Sequence, residues 1–407
     1  MTFPTLQILL NEREIGTLSQ LPGDRNLFVF NEDYVNDIAR PTLSLSFKDK
    51  AGGLITNIRP TQTRLPTFFS NLLPEGEMRT YLAERANVKP EREFYLLWAL
   101  GEDLPGAIRA VPIADSRLLQ LNDDRDKSAN IELEEDPLLR FSLAGVQLKF
   151  SALKNAHGGL TIPANGCGGD WIIKLPDTRF ENVPENEYAM MELARHIGID
   201  VPETALVPLD TIDGLPTEIE QHGKHAFVIK RFDRGGINGR VHIEDFAQIY
   251  AVYPQQKYKN ASYRNIAEVI WLELGEVDLV EFIRRFVFNS LIGNGDMHLK
   301  NWSLIYPDGR HPQLAPAYDF VSTIPYIHND TLALNFLKSK RFQDLSLEGF
   351  KLFANKTNLP EHVLLETVAN TVADFKAVWD NSLEFGIETK IKDAIDKHLA
   401  NLPLFKL

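Results

Sequence analysis

The spacing of apolar residues becomes mostly helical in the last third of this chain, after strand-like runs broken by shorter helical stretches, and that order limits what it can fold into. From Leu6 to about Phe47 they fall in short runs such as Leu43-Ser44-Leu45-Ser46-Phe47. Turn signals like Pro22-Gly23-Asp24 and Asn31-Glu32-Asp33 separate the runs, which is the pattern of antiparallel strands. From Tyr263 onward apolar residues recur at helical intervals through 266–274, 279–292, 347–354 and 363–383. A chain of 407 residues exceeds what one ordinary core organises, so several packed units are expected.

Three units follow from this pattern. Residues 1–120 read as an α+β unit: strands within 6–47, helical spacing over 68–86 and 94–100, then Gly101-Glu102-Asp103-Leu104-Pro105-Gly106 turning the chain back into a strand. The polar stretch 118–135, with Asn122-Asp123-Asp124-Arg125-Asp126-Lys127, reads as a linker or surface loop. Residues 136–255 form a second β-rich unit, with strands at 147–153, 171–174 and 226–232 around a helix at 185–197. Ala189, Met190, Leu193 and Ile197 share one face of that helix. Residues 256–407 are mostly helical, apart from a strand pair near 302–306 and 313–315.

Composition excludes several classes. With 44% hydrophobic and 24% charged residues the chain is expected to fold. A net charge of -13 opposes strong unaided binding to nucleic acid, so DNA would be reached only through a partner. Cys167 is the only cysteine, which excludes an intrachain disulfide and fits a reducing cytosol, favoured here, or a secreted protein that needs no bridges. The first ten residues do not read as a signal peptide. No segment reaches the roughly 18 apolar residues of a membrane span; 282–292 is broken by Arg284, Arg285 and Asn289. A cytoplasmic protein without membrane contact is expected.

The most informative stretch is Gly293-Asn294-Gly295-Asp296-Met297-His298-Leu299-Lys300-Asn301, which follows a long apolar helix pattern and precedes a strand pair ending in Tyr318-Asp319-Phe320. Phosphoryl transfer needs a carboxylate to take the hydroxyl proton and oxygen ligands for Mg²⁺, and kinases place an Asn five residues after that Asp. Asp296 and Asn301 keep the interval, and Asp319, opening an Asp-Phe pair after a hairpin, suits a metal that bridges phosphates. Asn294-Gly295-Asp296 alone is a plain turn; Asn301 and Asp319 at their spacing favour the catalytic reading. His298 and Lys300 fit either a metal or phosphate role or a solvated loop.

Upstream, Trp171-Ile172-Ile173-Lys174-Leu175-Pro176 sets one lysine in an apolar strand, where an unpaired ammonium is costly. Either it pairs with an anion, nucleotide phosphates steadied by Glu187 from among Glu185, Glu187 and Glu192, or it snorkels to water at a strand edge. The run 227–234, in which Lys230, Arg231, Phe232 and Asp233 close a strand, could offer backbone groups to adenine or simply be buried. Ser142-Leu143-Ala144-Gly145-Val146-Gln147-Leu148-Lys149 could present N–H groups to phosphate but lacks repeated glycines. Gly166-Cys167-Gly168-Gly169-Asp170 reads as a hairpin turn without chemistry.

With these pieces in order, the chain resembles the HipA family of bacterial toxin kinases over nearly its whole length. The resemblance rests on Ser142 to Gln147, Ile173-Lys174-Leu175-Pro176, Glu185-Asn186-Glu187-Tyr188, Val228 to Arg234, Asn294 to Asn301 and Tyr318-Asp319, with Asn71-Leu72-Leu73-Pro74-Glu75 and Gly101 to Ala107 near the start. It implies a protein-kinase-like two-lobed fold carrying an extra N-terminal α+β subdomain. It implies ATP and Mg²⁺ as cofactors, with Ala144, Gly145, Val146, Gln147, Leu148 and Lys149 as the phosphate loop and Lys174 as the phosphate-binding lysine. Lys230, Arg231 and Phe232 become the adenine-binding backbone, and Asp233 faces the ribose. Asp296 is the base, His298, Leu299, Lys300 and Asn301 contact nucleotide and metal, and Tyr318 and Asp319 close the magnesium site, where Asn301 and Asp319 are the ligands.

The same resemblance makes Ser142 an autophosphorylated serine whose phosphate ejects the loop and silences the enzyme. It implies a HipB-like helix-turn-helix antitoxin as partner, and a protein Ser/Thr substrate among translation factors, notably aminoacyl-tRNA synthetases such as the glutamyl enzyme. Val321 stands where eukaryotic kinases have the glycine of Asp-Phe-Gly, and no His-Arg-Asp precedes the loop, so only the catalytic core is carried over. Two other readings stand beside this one: a small-molecule hydroxyl phosphotransferase, and a catalytically silent kinase-fold corepressor. The Ser142 loop and N-terminal unit favour the protein kinase over the first, and the complete catalytic set favours it over the second.

Overall fold

The computed structural model describes residues 3–113, 149–154, 160–161, 168–177, 179–213, 215, 223–235 and 239–407. Ser142, Ala144, Gly145, Val146, Gln147 and Leu148 lie outside the described residues, as do the expected linker and Cys167.

In the N-terminal module, β1 (Thr5–Leu10), β2 (Arg13–Leu21), β3 (Arg25–Phe30), β4 (Thr61–Gln62) and β5 (Ile108–Pro112) form an antiparallel sheet ordered β4-β3-β2-β1-β5. Leu6, Ile8 and Leu10 alternate inward along β1 and share a core with Phe28, Phe68, Phe69, Leu96 and Leu97. Two expectations change here. Residues 43–47, read as a strand, contain a 3-10 turn over Leu45–Phe47, because the Ser44 hydroxyl accepts from the Ser46 N–H at 3.0 Å and diverts the backbone from a ladder. The helix read over 68–86 is two helices, Thr67–Ser70 and Gly76–Arg85. Pro74 between them supplies no N–H and biases Leu73 away from helical backbone.

The middle module holds β6 (Lys149–Lys154), β7 (Leu160–Thr161), β8 (Trp171–Lys174), β9 (Thr204–Pro208), β10 (Ile212–Asp213) and β11 (His225–Lys230), in the order β10-β7-β6-β8-β11-β9. Register sets Lys149 of β6 and Phe227 of β11 on either side of Lys174. Phe227 and Ile229 face the helix Val183–His196, whereas Ala226 and Val228 face a small cluster with Ile173 and Leu175 on the other side.

The C-terminal module packs helices Tyr263–Glu273, Glu276–Leu291, Leu347–Thr357, Glu361–Trp379 and Thr389–Ala400 around Phe282, Phe286, Phe288, Phe350, Phe353 and Phe375. The helical pattern read to 383 ends at Trp379, and the final helix was not anticipated although Ile391, Ile395 and Leu399 mark its buried face. Beside these helices lies a sheet of β12 (His242–Asp245), β13 (Ser303–Tyr306) and β14 (Gln313–Leu314). No described helix is long and apolar enough to cross a membrane.

β12 also fastens the N-terminal module to this sheet. The buried Glu244 carboxylate accepts from Ser44 Oγ at 2.5 Å, the Leu45 N–H at 3.0 Å and Tyr306 Oη at 2.5 Å, and His242 Nε2 donates to the Leu43 carbonyl at 2.7 Å. Burial raises the Glu244 pKa from 4.5 to about 7, against the opposing pull of those hydrogen bonds. The folded state therefore holds this proton more tightly than the unfolded chain, and the group's contribution declines as pH rises from 4.5 through about 7. His242, which burial lowers to about 4, titrates below that window. Glu244→Gln keeps the shape and can still serve Ser44, Leu45 and Tyr306. It should flatten the decline between about pH 5 and 7 and add roughly 1–3 kcal/mol at pH 8 in denaturant titrations, relative to the parent.

Candidate active site

Lys174 ends β8 with its ammonium 3% exposed, between the carboxylates of Glu187 and Asp319, to each of which it donates. Glu187 comes from the helix Val183–His196 and Asp319 from the segment after β14, so one cation joins sheet, helix and C-terminal module. Burial pulls the Lys174 pKa down, but Asp319 and Glu187 together more than offset it and hold Lys174 charged. Asp319 would likewise be raised by burial. Lys149 and Lys174 prevail, and its carboxyl lies far below the usual range. Lys149 Nζ sits 3.4 Å from Asp319 Oδ2. The Asp319 backbone occupies the left-handed region at φ 58°, which an Asp tolerates better than a bulky residue.

Neighbouring residues lock this geometry. Phe320 is buried and stacks on Phe288 at 5.5 Å, and Asn186, beside Glu187, brackets Ser322 by donating to its carbonyl at 2.9 Å and accepting from its N–H at 3.2 Å. The Val183–His196 helix and the Asp319 segment are thus joined by backbone and side-chain hydrogen bonds as well as by the Lys174 ion pairs.

The loop carrying Asp296 starts where the helix Glu276–Leu291 ends. Asn294 Nδ2 donates to Asn289 Oδ1 at 2.8 Å and to the Asp319 carbonyl at 3.3 Å, while its Oδ1 accepts from the Asp296 N–H at 2.9 Å. Asn301 Nδ2 donates to the Asp296 carbonyl at 2.8 Å, which leaves its amide oxygen as an acceptor without a side-chain partner among the described residues. Tyr258 Oη donates to Asp296 Oδ1 at 2.6 Å. Burial pushes the Asp296 pKa up, the Tyr258 bond and the Lys257 charge pull it down, and the nearby Asp319 charge adds to the rise. His298 is buried and neutral: burial, then Lys257, drive its pKa well below the usual value, and Nδ1 accepts from the Lys300 N–H at 3.3 Å. Leu299 is core, and Tyr318 Oη donates to the Lys300 carbonyl at 2.8 Å.

Two expected contacts point elsewhere. The Lys300 ammonium donates to the Asn71 carbonyl at 2.8 Å and lies 3.2 Å from Asp245 Oδ2 and 3.5 Å from Glu75 Oε1, so it faces the N-terminal module. The Asp233 carboxylate, expected to face a ribose, is 5% exposed and accepts from Arg231 at 2.8 and 2.9 Å, from Arg234 at 2.8 Å and from the Gly106 N–H at 2.8 Å. A free carboxylate was assumed there, but Arg231 two residues earlier and the 101–106 turn consume it. Along the expected adenine backbone, the N–H groups of Lys230 and Arg231 donate to the carbonyls of Glu203 and Asp170 at 2.8 and 2.7 Å. The Phe232 ring meets Tyr318 at 5.7 Å.

Sequence reasoning did not single out Tyr258 or Lys257, and it quoted Glu75 within the Asn71–Glu75 run without giving it a role. Tyr258 and Lys257 sit in a polar loop with no local pattern, and Glu75 reaches Lys257 across 182 positions.

The chain can now be set beside known proteins. A family model described as the HipA N-terminal domain matches residues 6–111, and one described as the HipA-like C-terminal domain matches residues 141–379. A Sinorhizobium fredii protein named "Putative kinase Y4dM" is 52% identical over 409 aligned residues, covering 98% of each chain. The "Serine/threonine-protein kinase toxin HipA" of Shewanella oneidensis is 26% identical over 403 residues, covering 89% of this chain and 86% of that one. Among solved structures, a chain of the Shewanella oneidensis toxin–antitoxin complex of HipA, HipB and operator DNA superposes with a TM-score of 0.71 at 22% identity, over 98% of this chain and 96% of the other. That likeness gives the α+β, kinase-like two-lobed fold. Two family models matched in chain order, the second over more than half of the residues, show that the chain belongs to the HipA family.

Proposed function

We propose that this chain transfers the γ-phosphate of ATP to a serine or threonine hydroxyl of a protein, with Asp296 as base. The observation that carries the reading is the Lys174 ammonium held between Glu187 and Asp319, a cation placed where nucleotide phosphates would meet it. Lys149, about half exposed beside Asp319, adds a second positive charge at the phosphate end. Asp296, raised by burial, accepts the hydroxyl proton better than an ordinary surface carboxylate would.

The residues fit a magnesium ion: Asp319 stays ionised, the Asn301 amide oxygen has no side-chain partner among the described residues, and Mg²⁺ commonly takes one or two protein oxygens plus phosphate and water. When bound, that ion supplies neutralisation of phosphate charge. Lys174 and Lys149 then orient phosphate oxygens, and neutral His298 packs edge-on against Tyr258 at 4.9 Å, keeping the base's surroundings free of a further cation.

Ser142 is the proposed site of self-phosphorylation that silences the enzyme. A HipB-like helix-turn-helix antitoxin is the proposed partner, by analogy with the Shewanella complex, and operator DNA would be reached through it, in keeping with the net charge of -13. Aminoacyl-tRNA synthetases are the acceptor proteins to try first, in a cytoplasmic setting.

Intact-mass analysis of wild type and Asp296→Ala after incubation with Mg-ATP, with peptide mapping, tests the reading. Phosphate on Ser142 in wild type only is expected; ATP binding without phosphate in either protein would overturn it in favour of a small-molecule transferase or a silent binder. The pH–rate profile offers a second check. The acid limb reports deprotonation of Asp296, and Tyr258 favours the charged form, so Tyr258→Phe should move that limb to higher pH, by about half a unit to one unit.

A further inference from the structure

The segment Asn71-Leu72-Leu73-Pro74-Glu75 belongs to the N-terminal module, yet its polar atoms end at the Asp296 loop. Glu75 Oε2 accepts from Lys257 Nζ at 3.1 Å, and Glu75 Oε1 lies 3.5 Å from Lys300 Nζ, so one carboxylate holds two lysines. Lys300 Nζ also donates to Asn71 O at 2.8 Å and Asn71 Oδ1 at 3.2 Å, and pairs with Asp245 at 3.2 Å. With oxygens on this many sides, its ammonium has little left to offer a nucleotide.

The lysines bracket the base. The Lys257 carbonyl accepts from the Leu299 N–H at 3.2 Å, and the next residue, Tyr258, donates to Asp296. Lys300 precedes Asn301, whose amide holds the Asp296 carbonyl. The Tyr258 and Asn301 contacts that hold Asp296 are therefore each within one residue of a lysine gripped by the 71–75 segment. That segment is itself firmly seated: Leu72 and Leu73 are buried, and Asn71 Nδ2 donates to the carbonyls of Thr67 at 2.9 Å and Val252 at 2.8 Å. Although burial would raise Glu75, Lys300 and Lys257 hold it below the usual carboxylate range, so it is ionised.

We infer that Asn71 and Glu75 are positioning residues for the catalytic base, acting from the N-terminal module through Lys257 and Lys300. The inference rests on the kinase reading of Asp296. Glu75 fixes the loop by holding Lys257 and Lys300 together from one carboxylate.

The test uses the full chain with Mg-ATP, comparing Glu75→Gln with wild type by rate of phosphate incorporation, KM for ATP and hydrogen exchange over 296–301. Expected are a kcat lower by roughly ten- to a hundredfold with KM for ATP within about twofold, and faster exchange in the loop. Lys300→Arg, which keeps the charge and its partners, should retain most of the rate that Lys300→Met loses; this pair decides the matter if Glu75→Gln fails to fold. Wild-type rate and exchange in Glu75→Gln, or a raised KM at unchanged kcat, would overturn the inference. A wild type that transfers no phosphate at all would defeat the kinase reading, and unchanged exchange in Glu75→Gln would then defeat the positioning role independently.

Discussion

A buried ammonium without a counter-charge is among the least tolerable things a protein interior can hold, and the architecture around Lys174 answers that problem. The lysine lies in a strand with Phe227 beside it in the sheet and its Nζ 5.4 Å from that ring, and the residue is buried. Its charge is met only if the Val183–His196 helix docks with Glu187 inward and the chain after β14 turns through the left-handed backbone of Asp319. Removing one partner from such a group typically costs about 3–5 kcal/mol, enough to threaten a marginally stable fold. The same contact that secures the modules to one another thus leaves a cation and two carboxylates at the mouth of the proposed phosphate site.

Much of this was legible along the chain because it is local. Alternation in β1, the 3.6-residue period in the helices after Tyr263, the lone lysine in Trp171-Ile172-Ile173-Lys174 and the interval from Asp296 to Asn301 all declare themselves within a few residues. What was not legible depends on partners far off in sequence. β12, His-Ile-Glu-Asp, has one apolar residue of four, and nothing local says that His242 and Glu244 are buried against residues 43–45 and Tyr306. Asp233 looks like an available carboxylate until the 101–106 turn brings the Gly106 N–H to it. The break at Pro74 could have been read and was passed over in favour of the apolar period, a case in which a single imino acid outranks a pattern.

The N-terminal module is therefore more than an appendage to a kinase-like core. Its turn at 101–106 enters the ionic cluster of Arg231, Asp233 and Arg234, where Asp103 Oδ1 lies 2.7 Å from Arg234 and Asp103 Oδ2 accepts from the Gly168 N–H at 2.7 Å. Its 71–75 segment grips Lys300 and Lys257 beside the Asp296 loop. Glu244 fastens its 43–45 stretch to β13.

The 101–106 attachment has a mechanical consequence. The chain leaves β11 after Lys230 for the helical module, and there Asp233 and Arg234 hydrogen-bond to the N-terminal module, with Arg231 joined to it through Asp233. Any change of angle at that exit must either break several charge-assisted hydrogen bonds together or carry the N-terminal module along with it.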